Sequence, residues 1–371
     1  MKKMFLLLVM FVASLVSFSA VAQKQTMPTT DMDKHIKKEV QYAILLMDNG
    51  MVKESIHFLD SMNVVHPDNF LVMFELGYAH LLDKNYEKSL NIYKYMCDNL
   101  PDADAQTYQM LGNLYDYNGN REKAIETYKK GIEKFPKSGL NYCELGVMEA
   151  MNKNYSNAVK CFESGIFYDP TYAPNYYRVA QVIMQASNQR AWGMIYAETM
   201  ALMSNREDRK KELVGIMCDI YNESITCKGD TLTVVINEGN DVETYADLIA
   251  MMYEHAHLNA AKVEKSGDRY AIKDMIEIRS GFFEMLRKID KVYLFKYLCQ
   301  LYDAGHWEAY NYWLFYEVLP EESQKWIDEN YDKFEAFAKW YDSNRFNLSE
   351  ENTVCRLYFM KDILENETKT E

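Results

Sequence analysis

The sequence predicts an all-α fold, in which a superhelical array of helix–turn–helix units precedes a mostly helical C-terminal region with one small β-hairpin. The first observation is a repeated Leu-Gly pair, whose glycines Gly77, Gly112 and Gly146 are 35 and then 34 residues apart. The second is that an aromatic residue and then a proline follow each pair at matching intervals. These aromatic and proline residues are Tyr93 and Pro101, Tyr128 and Pro136, and Phe162 and Pro170. A period near 34 with these features is typical of helix–turn–helix arrays.

The N-terminus has the pattern of a secretory signal peptide over residues 1–22. Lys2 and Lys3 precede an apolar run from Met4 to Val16, and the segment ends in Ala20-Val21-Ala22. A basic start, a short apolar run and small residues at a cleavage site are typical of such peptides. The alternative, a retained membrane anchor, would need about 20 apolar residues. We therefore expect a mature chain that starts at Gln23, has no membrane span and is periplasmic or associated with the cell envelope.

After a linker at residues 23–35, the array is predicted over 36–206. In the middle repeat Gly112 and Ala124 allow two helices to approach closely, and the ring of Tyr128 fills the space beside them. Gly119 is expected to end the first helix in a left-handed conformation, and Pro136 to close the unit because proline cannot continue a helix. The five repeats are 36–69, 70–103, 105–138, 139–172 and 173–206. The fifth departs from the pattern, since Trp192 replaces a small residue and no proline follows, so a bent or capping repeat is expected.

These residues resemble the tetratricopeptide-repeat family over about half of the chain, and the N-terminus resembles that of an exported bacterial member. The resemblance implies a concave groove, lined by the first helix of each repeat, that binds a peptide or a partner helix. The implied groove residues are Phe74, Tyr78, Gln109, Asn113, Asp116, Tyr117, Tyr177, Arg178, Gln181 and Gln185. The alternative is that several of these side chains contact only neighbouring repeats.

The family's best-known groove chemistry is a clamp of Lys, Asn and Arg on a partner's terminal carboxylate. Asn113 and Arg178 match that clamp, whereas Gln109, Glu144 and Pro174 replace its other members. A groove of polar, neutral and aromatic character is therefore expected instead of the clamp.

The C-terminal half, residues 207–371, is predicted to be a separate helical domain. Two β-branched runs around Lys228-Gly229-Asp230 predict a hairpin near 225–236, and Asn240 or Asp241 is expected to cap the next helix. Helices are predicted over 211–221, 241–257, 270–288, 291–303, 307–317, 321–341 and 349–364. The stretch 307–341 holds four of the five tryptophans and many other aromatic residues at core spacing. These residues are interpreted as core, and the alternative is an exposed platform for a sugar or peptide.

Charge and motifs narrow the function classes. The formal net charge is −14, which disfavours a nucleic-acid partner because such binding depends on Lys and Arg. Cys218 and Cys227 are the only plausible disulfide pair among seven cysteines. The chain contains none of the common hydrolase, phosphate-loop or zinc-protease motifs. Glu254 and His257 lie close enough on a predicted helix to meet, but His255 points elsewhere, so neither a metal nor a cofactor is expected.

The leading hypothesis is a non-enzymatic scaffold in the cell envelope that binds a peptide or partner protein and possibly forms a homodimer. The first alternative is a carbohydrate- or envelope-binding module that uses the aromatic C-terminal half. The second alternative is an enzyme whose active site carries no recognisable motif, which would need a deep pocket with titratable groups of shifted pKa.

Overall fold

A computed structural model describes residues 31–360 apart from residues 187, 205, 229–230, 239–241, 258–264, 266–267, 282 and 290. The predicted signal peptide and the first part of the predicted linker lie outside the described residues. Within the described residues, no helix is both long and apolar enough to cross a membrane.

The all-α fold class is confirmed, and each predicted repeat contains one pair of consecutive helices. The first helix begins at Asp31, so the last part of the segment predicted as linker is helical. The pairs are α1 Asp31–Asp48 and α2 Val52–Val65, α3 Phe70–Leu82 and α4 Tyr86–Asn99, α5 Ala105–Tyr117 and α6 Arg121–Lys134, α7 Gly139–Met151 and α8 Tyr155–Tyr168, and α9 Ala173–Ile183 and α10 Arg190–Met203.

The chain divides into two compact units, Met1–Ala79 and His80–Glu371, with the boundary inside α3. In the first unit, α1 and α2 bury Ala43 and Leu59 completely. The buried hydroxyl of Ser55 donates to the Ala43 carbonyl at 2.9 Å. A small hydroxyl on α2 therefore fixes its close approach to α1, as the small-residue positions of the repeat predict.

In the second unit, Gly112 and Tyr128 form the helix contact that their spacing predicts. A Cβ atom added at Gly112 would lie 2.2 Å from the Tyr128 ring, so only glycine fits here. Gly119 has a φ of +76°, which confirms the predicted left-handed end of α5.

Successive repeats of the second unit are joined by an asparagine that the sequence interpretation did not identify. Asn141 Nδ2 donates to the Ala105 carbonyl at 3.0 Å, and Asn175 Nδ2 donates to the Gly139 carbonyl at 3.1 Å. The Asn141 side chain packs on Gly131, where an added Cβ would lie 2.7 Å from it. Each bond ties the first helix of one repeat to the first helix of the preceding repeat.

The C-terminal half begins with α11 and a two-stranded antiparallel hairpin. Ile225 lies opposite Val234, and Lys228 lies opposite Thr231, so the hairpin predicted near 225–236 is confirmed, although its turn residues are not described. The elements are α11 Glu207–Ser224, β1 Ile225–Lys228, β2 Thr231–Val234, α12 Tyr245–Ala256, α13 Ile272–Ser280, α14 Phe283–Leu286, α15 Tyr293–Asp303, α16 Trp307–Leu314, α17 Pro320–Glu329, α18 Tyr331–Ser343 and the 3₁₀ turn Arg356–Phe359.

Three helix predictions in this half are wrong in their limits. The helix predicted over 241–257 starts at Tyr245, because Thr244 and Asp247 form a reciprocal capping box. The segment 270–288 is two helices, since α13 ends at Ser280 before Gly281. The segment 321–341 is also two helices, because Asn330 Nδ2 donates to the Trp326 carbonyl at 3.0 Å and closes the end of α17.

The helix predicted over 349–364 is also wrong in its described part. Residues 344–360, called the strap below, are largely extended and contain only the 3₁₀ turn. Tertiary bonds prevent a helix here, because the Arg356 N–H donates to Tyr196 Oη at 2.8 Å and its guanidinium binds Glu163. The strap is thus held by residues of the array instead of by its own backbone.

One continuous hydrophobic core extends from Cys143 to Cys355 and includes most of the aromatic residues at 307–341. Trp307, Tyr310 and Phe337 are buried in it, so the interpretation of this stretch as core is confirmed and the exposed platform is wrong. The core continues across the limit predicted at residues 206 and 207, and an independent C-terminal domain stays a prediction.

The fifth helix pair accommodates its unusual tryptophan through contacts with the C-terminal half. Trp192 is buried, and its indole N–H donates to the Ala246 carbonyl at 2.9 Å. The large side chain therefore packs against α12, where a further repeat would place its first helix. This is the physical reason why the repeat pattern departs from the small residue at this position.

Candidate functional site

The polar residues of the C-terminal half do not converge on a metal site within the described part of the chain. No group of three His, Cys, Asp or Glu side chains there could hold an ion. Burial lowers the pKa of His257 to about 3, and its Nδ1 lies 2.8 Å from the Tyr253 carbonyl. The Glu254 carboxylate instead accepts from the backbone N–H groups of Ile236 and Asn237, both at 3.3 Å. This acid fastens the chain after the hairpin to α12.

Two buried ion pairs stabilise the core and are closed to a ligand. Arg279 and Glu198 form one pair with both side chains almost fully buried, and Tyr310 Oη donates to Glu198 Oε1 at 2.7 Å. Arg356 and Glu163 form the other, with Nε to Oε1 at 2.8 Å and Nη2 to Oε2 at 3.1 Å. Both carboxylates are satisfied by their partners, so these clusters serve packing rather than chemistry.

The cysteines are thiols with raised pKa values where a shift is resolved. Cys218 is free and buried, and burial raises its pKa to about 12. The side chain of Cys227, its suggested partner, lies outside the described residues. A buried thiol with a high pKa is a poor nucleophile at neutral pH.

An open depression of about 630 Å³ lies along α17. Its lining includes Tyr316, Pro320, Gln324 and exposed charged side chains. Tyr316 Oη donates to Gln324 Oε1 at 3.0 Å, which uses the nearest polar groups within the wall itself. The depression lacks the buried, convergent polar groups of a substrate pocket.

The predicted groove residues of the first unit are Phe74 and Tyr78. Both side chains are half-buried, and the Phe74 ring lies 5.8 Å from that of Phe70. Burial, Glu75 and Asp48 raise the pKa of Tyr78. Burial and Asp48 also raise the pKa of Glu75 to about 7. These two groove residues therefore lie beside a pair of acidic side chains.

In the second unit, hydrogen bonds connect side chains on successive first helices. Gln109 Nε2 donates to Glu144 Oε1 at 2.7 Å and links α5 to α7. Tyr177 Oη and Gln181 Nε2 both donate to Glu212, each at 2.6 Å, and link α9 to α11. We call these five residues and Arg178, which donates to Gln181 Oε1 at 3.2 Å, the polar ladder.

Burial divides the predicted groove residues of the second unit into two groups. Gln109, Tyr177 and Gln181 are buried, so the alternative interpretation applies to them, because they hold neighbouring helices together. The other group reaches the surface: Asn113, Asp116 and Arg178 are half-buried, and Tyr117 and Gln185 are exposed.

The surface group is anchored by neighbouring side chains. Asn113 Oδ1 accepts from Tyr128 Oη at 2.7 Å, and Asp116 Oδ1 lies 3.5 Å from Arg121 Nε. The ring of Tyr117 lies 6.0 Å from that of Tyr86. These contacts present a carboxylate, an amide and an aromatic ring in fixed positions along α5.

Three charged residues of this surface were not predicted as groove residues. Burial raises the pKa of Glu144, while the hydrogen bond from Gln109 and the charge of Arg178 act in the opposite direction. Glu212 and Arg209 lie on α11, beyond the predicted array. Their positions at the interval of Glu144 and Arg178 were the only available signal, because the repeat pattern itself fades after residue 206.

Comparison with known proteins identifies the repeat. Residues 105–136 match the model of the tetratricopeptide repeat. The BBSome complex member BBS4 of Bos taurus is 27% identical over 142 residues, which are 36% of this chain and 25% of that protein. The small glutamine-rich tetratricopeptide repeat-containing protein 2 of Saccharomyces cerevisiae is 33% identical over 87 residues, 22% of this chain and 25% of that protein. Each alignment thus spans about a quarter of the relative's length.

Solved structures with a similar arrangement have low sequence identity. A thermophilic tetratricopeptide-repeat protein of Thermus thermophilus is 12% identical with a TM-score of 0.41, covering 49% of this chain and 98% of that one. A tetratricopeptide-repeat protein of Parabacteroides merdae is 18% identical with a TM-score of 0.40, covering 53% and 76%.

The segment that matches the repeat model coincides with the third of the five helix pairs. The third and fourth pairs share the same construction, in which Gly112 packs on Tyr128 and Gly146 packs on Phe162. The chain is therefore a tetratricopeptide-repeat protein.

Proposed function

We propose that this protein is an exported, non-enzymatic scaffold of the cell envelope that binds a peptide or an extended segment of a partner protein. The proposed binding surface lies in the second unit, on the first helices α5, α7 and α9. Repeats of this family form protein–protein interaction scaffolds, because stacked units present one extended surface. The observation that carries the proposal is the anchored surface group on α5, beside a ladder of bonds that fixes the helices.

Tyr117 is the central contact of the proposed surface. Its side chain is 49% exposed, and it supplies a large aromatic area with few rotatable bonds, as tyrosines at binding hot spots do. Asn113 uses its oxygen for Tyr128, which leaves its amide nitrogen to donate to a backbone carbonyl of the bound segment. An aromatic contact and an amide contact one turn apart suit an extended peptide.

The competing functions have less support. A carbohydrate-binding module would need the aromatic residues of 307–341 at the surface, and most of them are in the core. The enzyme hypothesis would need titratable groups that converge in a pocket, and the buried acids of the described residues are bound to their own partners.

Export rests on the sequence of residues 1–22. The mature protein is expected to begin at Gln23, and N-terminal sequencing of material from the cell envelope measures this. An intact Met1 in that material would contradict the proposed export. The possible homodimer is tested by measuring the mass of the mature protein in solution.

The binding surface is tested with a single tyrosine variant and a matched control. A partner captured from the cell envelope with the mature protein is purified, and its Kd is measured by calorimetry. Tyr117→Ala should weaken binding about tenfold or more, equivalent to about 1.4 kcal/mol. Tyr331→Ala removes a tyrosine that is 62% exposed on α18 and should leave the Kd unchanged.

Equal affinity of the Tyr117→Ala variant and the wild type would reject this surface. Tyr177 is unsuitable for such a test, although the sequence placed it in the groove. Its ring is only 8% exposed and its hydroxyl is bound to Glu212, so its removal would disturb the packing of α9 on α11.

A further inference from the structure

We propose that Arg178 and Arg209 together bind the carboxylate of an acidic side chain in the partner segment. This inference rests on the proposed function, because it specifies the chemistry of the segment that the same surface binds.

Both guanidinium groups lie against one aromatic ring. The Arg178 and Arg209 guanidinium carbons are 5.3 and 4.8 Å from the centroid of the Tyr177 ring. The ring cannot turn freely, because it is buried and its hydroxyl is bound to Glu212. Attraction between the cations and the ring therefore holds the two groups near a rigid base.

The positive charge of Arg209 is not neutralised by the surrounding acids. Glu212 already accepts from Tyr177 and Gln181 through its two oxygens, and Asp208 binds Arg206 at 2.9 Å. In the part of the chain that the structure describes, no carboxylate lies within ion-pair distance of Arg209. Burial, Arg178 and Arg206 all lower the pKa of Arg209. An incoming anion would relieve this repulsion.

The geometry and chemistry favour a carboxylate. Arginine presents two parallel N–H donors that match the two oxygens of a carboxylate. Arg178 spends one donor on the neutral oxygen of Gln181 and stays half-buried. Glu144 lies near enough to Arg178 for each charge to affect the other. Its negative charge repels an anion on the α7 side and favours a position between α9 and α11.

The position of the acid along the bound segment follows from the spacing of the helices. Tyr117 is on α5, and Arg178 is on α9, two first helices further along the array. Packed helices lie about 8–10 Å apart, so the two contacts are separated by about 20 Å. An extended chain rises about 3.3 Å per residue, which places the acidic residue about six residues from the segment over Tyr117.

An acidic side chain, rather than the end of a chain, is the proposed ligand. The family's clamp on a terminal carboxylate is interrupted here by Gln109, Glu144 and Pro174, and Glu144 carries a charge that repels such an end. Arg209 lies outside the clamp positions and on the opposite side of Arg178 from Glu144.

The test uses random 12-residue peptides displayed on phage and selected on the mature wild-type protein. The best peptide is synthesised and its Kd is measured with the wild type, Arg209→Gln, Arg209→Lys and Tyr117→Ala. Replacing its acidic residue by the corresponding amide should weaken binding to the wild type about tenfold and should have no effect on Arg209→Gln. Arg209→Lys keeps the charge without the paired donors and should bind with intermediate affinity. Arg287→Gln, which changes an exposed arginine paired with Asp303, serves as the control and should bind like the wild type.

The outcomes separate this inference from the proposed function. Binding that needs Tyr117 but is equal for the wild type and Arg209→Gln would overturn the carboxylate site and leave the proposed function standing. Binding that is lost when the peptide's C-terminus is amidated, but not when its acidic side chain is replaced, would also overturn the proposal in favour of a chain terminus. Selection of no peptide that depends on Tyr117 would count against the proposed function itself. Thermal melts of Arg209→Gln confirm that any loss of binding occurs in a folded protein.

Discussion

Replacing Gly112 by alanine should destabilise the second unit, although alanine is the better helix former. An added Cβ would lie 2.2 Å from Cε1 and 2.7 Å from Cδ1 of the Tyr128 ring. Such distances are far inside van der Waals contact, so either the ring or the helix must move. The ring is 1% exposed and has no free space into which it can turn.

The expected magnitude combines three terms of known size. Overpacking a core by a methyl group costs about 1–3 kcal/mol, and displacing the Tyr128 hydroxyl from Asn113 costs about 1 kcal/mol. Alanine in place of glycine returns about 1 kcal/mol of helix propensity. The free energy of unfolding should therefore fall by about 1–3 kcal/mol.

Gly215 provides a matched control in α11. An added Cβ there meets no atom within 4 Å, so Gly215→Ala changes helix propensity alone and should raise the free energy of unfolding by up to about 1 kcal/mol. Urea denaturation of both variants, followed by circular dichroism, measures the two effects with opposite signs.

A double variant tests the cause of the loss. Tyr128→Leu shortens the side chain that Gly112 faces, so Gly112→Ala should cost less in that background than in the wild type. A Gly112→Ala variant as stable as Gly215→Ala, or strictly additive effects of the two substitutions at 112 and 128, would refute the contact as the reason for the glycine.

Three further predictions concern charged groups. Arg356→Leu should cost about 3–5 kcal/mol in a urea titration, because it leaves the buried Glu163 carboxylate without its charge partner; a loss below 1 kcal/mol would show that the strap adds little. Burial lowers the pKa of Lys210 to about 8, so the unfolded chain binds more protons between pH 8 and 10 and the stability gained as the pH rises there should be smaller in Lys210→Met; identical pH profiles would contradict this. Burial and Asp48 raise the pKa of Glu75 to about 7, so the folded chain binds more protons between pH 4.5 and 7, and this contribution to stability is lost as the pH rises. Glu75→Gln should therefore be more stabilising, relative to the wild type, at pH 8 than at pH 5, and thermal melts at the two values would reject the assignment if the difference is the same.

The array could be predicted from the sequence because its contacts are local and repeated. Gly112 and Tyr128 lie 16 residues apart in one helix pair, and the same interval separates Gly146 from Phe162. The asparagines that join the repeats follow the same period, at positions 141 and 175, but a polar residue on a helix carries no sign of its distant partner. The repeat pattern thus reveals the contacts within a pair better than those between pairs.

The C-terminal elements were harder to predict because tertiary contacts decide their limits. Asn330 breaks a stretch whose apolar spacing suits one long helix. The strap has helical periodicity in its sequence, yet Arg356 satisfies a carboxylate that is 193 residues earlier in the chain. No local pattern shows such a preference.

The candidate site was predicted in part, and the limit was burial. The family resemblance placed Tyr117 and Tyr177 in equivalent roles, whereas the structure exposes Tyr117 and buries Tyr177. The difference comes from α11, whose Glu212 binds the Tyr177 hydroxyl and whose Arg209 covers the ring. A residue outside the repeats therefore changes the role of a residue within them.

The bond between Arg356 and Glu163 has a consequence for how the chain is made. Synthesis proceeds from the N-terminus, so the ribosome must add 193 residues after Glu163 before its charge partner exists. Until then the fourth and fifth helix pairs must leave this carboxylate in contact with water, since burying it alone is costly. The array up to residue 203 is thus prevented from closing its core early, and completion waits for the last part of the chain. A protein that must cross a membrane before it folds gains from such a delay, because the step that locks the core comes with the final residues.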